Sequence, residues 1–230
     1  MLKSVTIKDG ADSFTVSIHQ SIPGSPVVLF AVGAGGVPER HATLLNTCID
    51  GGYTVIAPHF ERLVSRFPEA GDLTVRARRL SLAIDSFSQP DSEIVGVGHS
   101  IGAATLVAMA GAQMWLRTRQ CVSIEPDHRL HRLVLLAPPT GFFQAPGALN
   151  EVRIPIGLWV GTEDELVPVA HCEWLAGALP EPEKVDFRVI KGAGHFSFMD
   201  TMPPNTKEPL PDKKDFLRSH SMEIVQFIAR

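Results

Sequence analysis

The chain has 230 residues, 44% of them hydrophobic, enough to bury a sizeable core and a length that suits one α/β domain spanning residues 1–230 rather than two. Its 21 basic and 25 acidic residues are spread along the sequence for a formal charge of -4, which leaves no footprint for nucleic acid or an anionic membrane and points to a small-molecule partner. No stretch reaches the roughly 18 uninterrupted apolar residues of a membrane span, because the apolar run from Ile101 to Leu116 is broken by Gly102, Thr105, Gly111 and Gln113.

In chain order, the first residues alternate polar and apolar without the continuous apolar block of an export signal. Val5 and Ile7, then Phe14, Val16 and Ile18, flank Asp9-Gly10-Ala11-Asp12, a pattern that predicts an antiparallel hairpin at a sheet edge. After Pro26 the predicted strands become nearly continuous apolar runs, at 27–32, 54–57, 93–97, 133–137, 154–160 and 185–190. Helical patterns at 41–50, 73–87, 102–115, 169–179 and 214–228 separate or follow them. Such β-α alternation is expected of a mostly parallel sheet covered by helices on both faces. Gly51-Gly52, Gln89-Pro90 and Pro138-Pro139 punctuate the elements. The segment from Met202 to Asp212, with Pro203, Pro204, Pro209 and Pro211, reads as a surface loop. Cys48, Cys121 and Cys172 are odd in number and widely spaced, which fits a reducing, cytoplasmic compartment better than a disulfide framework or a zinc site.

Gly98-His99-Ser100-Ile101-Gly102 falls where a predicted strand gives way to the small-residue run Ala103-Ala104. A serine held on a sharp strand-to-helix turn needs small residues two before and two after it, and both are glycine here. Ser100 is therefore the candidate nucleophile. The bland reading is a glycine-rich turn whose serine only caps the helix.

A serine hydroxyl needs a base to take its proton, and the base needs an acid to orient it. Asp164, in Gly161-Thr162-Glu163-Asp164-Glu165 at the end of a predicted strand, is the candidate acid, with Glu163 and Glu165 as alternatives. His195, in Gly192-Ala193-Gly194-His195-Phe196, is the candidate base. Among the other histidines, His99 is expected to pack within the turn, and His41, His59 and His171 stand where they could border a site. His19, His128, His131 and His220 lie in segments without other chemical signal and are expected at the surface or partly buried. The order Ser, Asp, His along the chain differs from that of trypsin-like and subtilisin-like enzymes.

Gly33-Ala34-Gly35-Gly36 follows the strand at 27–32. The N–H of Ala34, with Gly35 as second choice, and the N–H of Ile101 are expected to hold a developing oxyanion. A phosphate cradle is the competing reading, but the cluster lacks the third glycine of a dinucleotide loop and the lysine of a triphosphate loop. Phe60, Phe142, Phe143 and Phe196 are the expected apolar walls for substrate.

These three motifs, Val32-Gly33-Ala34-Gly35-Gly36, Gly98-His99-Ser100-Ile101-Gly102 and the Asp164 and His195 loops, resemble the α/β-hydrolase superfamily over nearly the whole chain. More narrowly, Gly194-His195-Phe196-Ser197-Phe198-Met199-Asp200 looks like the histidine loop of dienelactone-hydrolase-like proteins and of intracellular platelet-activating-factor acetylhydrolases. The resemblance implies an α/β-hydrolase fold and a serine hydrolase acting on a carboxylic ester or lactone, with no metal or organic cofactor. Two departures stand out: Val32 occupies the place where this superfamily often has histidine, and dienelactone hydrolases use a cysteine nucleophile where Ser100 stands here. Only 138–153 is available for the helical cap common in the superfamily, so a lid would be a loop containing Phe142, Phe143 and Leu149. The same machinery would serve a thioesterase or amidase. A non-catalytic binding protein that keeps the fold, or a scaffold acting through the proline-containing loop, are the readings from other classes.

Overall fold

The computed structural model describes residues 2–65, 67–90 and 92–230. The chain opens with the expected hairpin, β1 (Lys3–Asp9) paired antiparallel with β2 (Asp12–His19) from Lys3 opposite Ile18 to Asp9 opposite Asp12. Then follow β3 (Val27–Ala31), α1 (Ala42–Asp50), β4 (Thr54–Pro58), α2 (Ala70–Phe87), β5 (Ile94–His99) and α3 (Ile101–Met109). A two-stranded ribbon, β6 (Met114–Trp115) with β7 (Cys121–Val122), interrupts the alternation. It resumes with β8 (Leu130–Leu136), β9 (Ile156–Gly161), α4 (Val169–Ala178), β10 (Val185–Ile190) and α5 (Lys213–Ile228).

Eight strands form one sheet in the order β1-β2-β4-β3-β5-β8-β9-β10. Only β1 with β2 and β2 with β4 pair antiparallel; the pairs from β4 to β10 are parallel. Strands β3, β4 and β5 are buried along their whole length because both faces of the sheet are covered. On one face, Leu73, Leu80 and Ile84 of α2, all of α3, and Cys172 and Leu175 of α4 pack onto Leu29, Ile56 and Leu133. On the other, Leu44, Leu45 and Cys48 of α1 and Ile224, Phe227 and Ile228 of α5 pack onto Val28, Val55, Val97 and Val134.

The helix expected over 102–115 ends at Met109. Gly111 takes φ 113, and the Gly111 N–H bonds the Ala108 carbonyl. Past this left-handed stop, Met114 and Trp115 are drawn into pairing with Cys121 and Val122. The continued apolar run that suggested a longer helix is instead one strand of a ribbon. Among the described residues, no helix is long and apolar enough to cross a membrane. The three cysteines are unpaired, Cys48 and Cys172 buried and Cys121 exposed.

The chain crosses from one side of β3 to the other, since β4 and β5 flank it. Loops leaving the carboxyl ends of β3 and β5 therefore diverge and leave a crevice between them, where open α/β sheets hold their ligands.

Candidate active site

Ser100 sits at that crevice, between β5 and α3, with φ 54 and ψ -128. A non-glycine residue in this region is strained, and the surroundings hold it there. Its N–H bonds the Leu136 carbonyl at 2.8 Å, and its carbonyl accepts the Ala104 N–H at 3.1 Å. A Cβ on Gly102 would stand 2.1 Å from the Ala31 oxygen, and one on Gly98 would stand 2.7 Å from the Ala103 nitrogen. The tight turn thus depends on both glycines, for the steric reason inferred from their spacing.

His195 Nε2 lies 3.0 Å from Ser100 Oγ, and His195 Nδ1 lies 2.8 Å from Asp164 Oδ2. Asp164 is buried after β9, and its Oδ1 accepts the N–H groups of Leu166 at 2.9 Å and Val167 at 2.7 Å. A carboxylate accepts, so the proton sits on Nδ1 and leaves the Nε2 lone pair facing the serine hydroxyl. Glu163 and Glu165, the alternative acids, are exposed and make no hydrogen bond to His195.

Ala34 and Gly35 are exposed to the same cavity of about 300 Å³ that holds Ser100 and His195. Ile101 is the first residue of α3, so its N–H has no acceptor within the helix. The buried Arg76 of α2 donates to the carbonyls of Val32 at 3.0 Å and Gly33 at 3.3 Å, tying down the start of the glycine loop. Burial lowers its pKa to about 10, which leaves it charged at neutral pH. In this way a helix arginine braces the start of the loop that follows β3.

Three imidazoles stand in a row behind the site. The rings of His41 and His99 are 5.1 Å apart and those of His99 and His195 are 4.9 Å apart. His99 Nε2 donates to the His195 carbonyl at 2.9 Å, and His41 Nδ1 donates to the Phe198 carbonyl at 3.0 Å. Burial drives the pKa of His41 down to about 4 and that of His99 well below the ordinary histidine value, so both are neutral. His99 thus packs, as expected, and also bonds the loop of the candidate base. His59 bonds Ser17 at 2.7 Å away from this cavity, and His171 is exposed on α4. His220 is fully buried against Trp159, Phe198 and Phe216, which corrects the expectation of a surface or partly buried position.

The four aromatic residues expected to face substrate are separated. Phe196 lines the serine cavity, with its ring edge-on to His195 at 5.1 Å. Phe60 instead lies under the Arg76 guanidinium at 4.6 Å, and Phe143 is buried in the core. Phe142 lines a second, apolar cavity of about 700 Å³ beside Phe67 and Trp115. The turn at Gly141–Phe143 directs Phe143 inward, and Leu149 is buried as well, so 138–153 does not form the expected lid over the serine. Pro203, Pro204, Leu63 and Met199 border the serine cavity, together with Arg40 and Arg62. No motif announced the two arginines; the only available signal was Arg40 lying four residues beyond Gly36. Among the described residues, no group of three or more His, Cys, Asp or Glu is placed to hold a metal ion.

No family model matches the chain, and no curated protein matches it in sequence. Solved structures do. A putative α/β hydrolase of unknown function from Agrobacterium tumefaciens superposes with a TM-score of 0.69 at 15% identity, covering 99% of this chain and 97% of the other. A dienelactone hydrolase from Anabaena variabilis gives 0.68 at 21% identity, covering 98% and 95%. A carboxylesterase from Lactobacillus plantarum gives 0.64 at 14% identity, covering 100% and 98%. The chain has the α/β-hydrolase fold, with a mostly parallel sheet and an N-terminal antiparallel hairpin. Its structural neighbours are named hydrolases and esterases, a dienelactone hydrolase among them.

Proposed function

We propose that this chain is a serine hydrolase that cleaves a carboxylic ester or lactone through an acyl-enzyme on Ser100. The observation that carries the reading is the pair of contacts at His195, 3.0 Å to Ser100 Oγ and 2.8 Å to Asp164 Oδ2. In this mechanism Ser100 Oγ attacks the carbonyl carbon as His195 Nε2 takes its proton, while Asp164 stabilises the imidazolium. The N–H groups of Ile101 and of Ala34, with Gly35 as second choice, hold the oxyanion. His195 returns the proton to the departing alkoxide. Water then attacks the acyl carbon, gives its proton to His195, and releases the acid as Ser100 Oγ recovers a proton.

The test is labelling with a fluorophosphonate together with turnover of p-nitrophenyl esters of increasing chain length. Wild type is expected to label and turn over, and Ser100→Ala to lose the label and about 10⁴-fold or more in kcat. Equal labelling of both proteins would remove Ser100 from the role.

A further inference from the structure

Arg76 of α2 is the one fully buried arginine among the described residues, 3% exposed. Its guanidinium donates to the Val32 and Gly33 carbonyls and lies 4.6 Å from the centre of the Phe60 ring, and among the described residues no carboxylate pairs with it. Asp72, one turn earlier on α2, bonds the Glu69 N–H at 3.0 Å instead. Arg79, Arg129 and Arg188, all less buried, each hold an aspartate. A buried charge without an opposite charge is costly, and two carbonyls and a ring compensate it only in part. The Gly33 carbonyl and the Ala34 N–H belong to one peptide group. That carbonyl accepts from Arg76 at 3.3 Å and from the Gly36 N–H at 3.1 Å. The Ala34 carbonyl, which shares its peptide with the Gly35 N–H, accepts the neutral Leu63 N–H at 2.9 Å. Ala34 lines the serine cavity and Arg76 does not. Among the described residues, the Ala34 N–H makes no hydrogen bond. In a trans peptide the oxygen and the N–H point in opposite directions. The cation therefore holds one end of a peptide group whose other end, at the cavity, is an unused donor.

We propose that Arg76 is a positioning residue for the oxyanion: its charge, acting through the Gly33–Ala34 peptide, strengthens the Ala34 N–H as a donor, and the anion that forms at the substrate carbonyl is the counter-charge that Arg76 lacks at rest. The inference rests on the serine-hydrolase reading, and it selects Ala34 over Gly35 as the donor from the glycine loop. A hydrogen bond to a carbonyl polarises the peptide and makes its N–H a stronger donor in turn. A fixed positive charge in a water-poor site acts most on the state in which negative charge has developed. No bond or proton moves at Arg76 itself. Losing a donor that touches the oxyanion lowers kcat about 100- to 1000-fold, so a group acting through such a donor is expected to matter about 10- to 100-fold.

The experiment uses wild type, Ser100→Ala, Arg76→Met, Arg76→Gln and Arg76→Lys. It measures turnover of p-nitrophenyl butyrate and the fluorine NMR of a butyl trifluoromethyl ketone, which adds to a serine hydroxyl as a hemiketal whose oxygen ionises. Arg76→Met keeps the apolar stem and removes the charge, and kcat is expected to fall about 10- to 100-fold with KM changed by less than about 3-fold. The pH at which the bound hemiketal ionises is expected to rise by about one unit or more. Arg76→Lys should recover most of both losses, and Arg76→Gln, a neutral donor, should recover little. If bracing of the loop were the whole role, Arg76→Gln would do as well as Arg76→Lys and the ionisation of the hemiketal would not move. Either result overturns the inference. If the variants fail to fold, wild type decides. On forming the hemiketal, the Ala34 amide proton is expected to move downfield and the Arg76 guanidinium protons to shift with it. An unmoved Ala34 proton, or unmoved Arg76 protons, overturns the inference while Ser100-dependent turnover keeps the hydrolase reading. Absence of that turnover in wild type removes the hydrolase reading and the inference with it.

Discussion

His99 lies beside Ser100 in sequence, yet its bond is to the base loop. Its Nε2–H donates to the His195 carbonyl at 2.9 Å, and its Nδ1 is buried without a partner. A Cβ added to Gly33 would come within 3.2 Å of that Nδ1. One side chain on the serine turn therefore bonds the His195 loop and borders the glycine loop, which makes it a positioning residue. His99→Leu would leave the buried His195 carbonyl without its donor, a loss of about 1–3 kcal/mol. With p-nitrophenyl butyrate, kcat is expected to fall about 10-fold or more with a smaller change in KM, while His99→Gln, which keeps an N–H at a similar reach, should recover part of it. Equal losses in both variants would show that ring shape, and not the bond, is what matters.

The loop from Lys191 to Asp200, between β10 and α5, has no regular structure and is held by elements far from it in sequence. Asp200 Oδ2 accepts the Thr43 N–H at 2.9 Å at the start of α1, and the Asp200 N–H bonds the Arg40 carbonyl at 2.7 Å. Lys213 of α5 donates to the Phe196 carbonyl at 3.1 Å and pairs with Glu208 at 2.8 Å. Glu208 also accepts from Ser197 Oγ, which in turn accepts the Gly194 N–H at 2.9 Å. Burial pushes the Glu208 carboxyl up, but the bonds from Lys213, Ser197 and the Leu210 N–H outweigh it and hold the group below its ordinary value. The proline-containing segment is thus a clamp on the histidine loop. Glu208→Ala is expected to speed hydrogen exchange at 194–199 and lower kcat, with protection in β5 unchanged. Protection of 194–199 equal to wild type would refute the clamp.

Local periodicity made the sheet, its hairpin edge and the order of the motif loops legible, because strands buried on both faces and a glycine-flanked serine are written in contiguous residues. What joins distant segments was not legible. The end of α3 at Met109, the inward turn of Phe143, the bracing by Arg76 and the arginines at the cavity all depend on tertiary neighbours that no local window contains. Histidine burial is of the same kind, and it has a consequence for the whole molecule. His220 packs between Phe216 at 5.1 Å and Trp159 at 5.8 Å, with neither ring nitrogen bonded. Burial, then the charge of Arg188, brings its pKa down to about 3; burial brings His41 to about 4 against the pull of the Phe198 carbonyl and Asp200. An unfolded chain protonates these imidazoles near pH 6.5 and the folded one does not. Stability is therefore full above about pH 6.5 and falls with pH, until each group titrates in the folded state, near 4 for His41 and near 3 for His220. Between pH 6.5 and 5 each contributes a loss of about 2 kcal/mol. Replacing His220 by Phe removes one such group and its two unbonded nitrogens from an aromatic setting. Urea unfolding at pH 7 and pH 5 is expected to show the His220→Phe protein losing about 2 kcal/mol less than wild type. Equal losses would mean that the His220 ring reaches a proton acceptor or solvent before the fold opens.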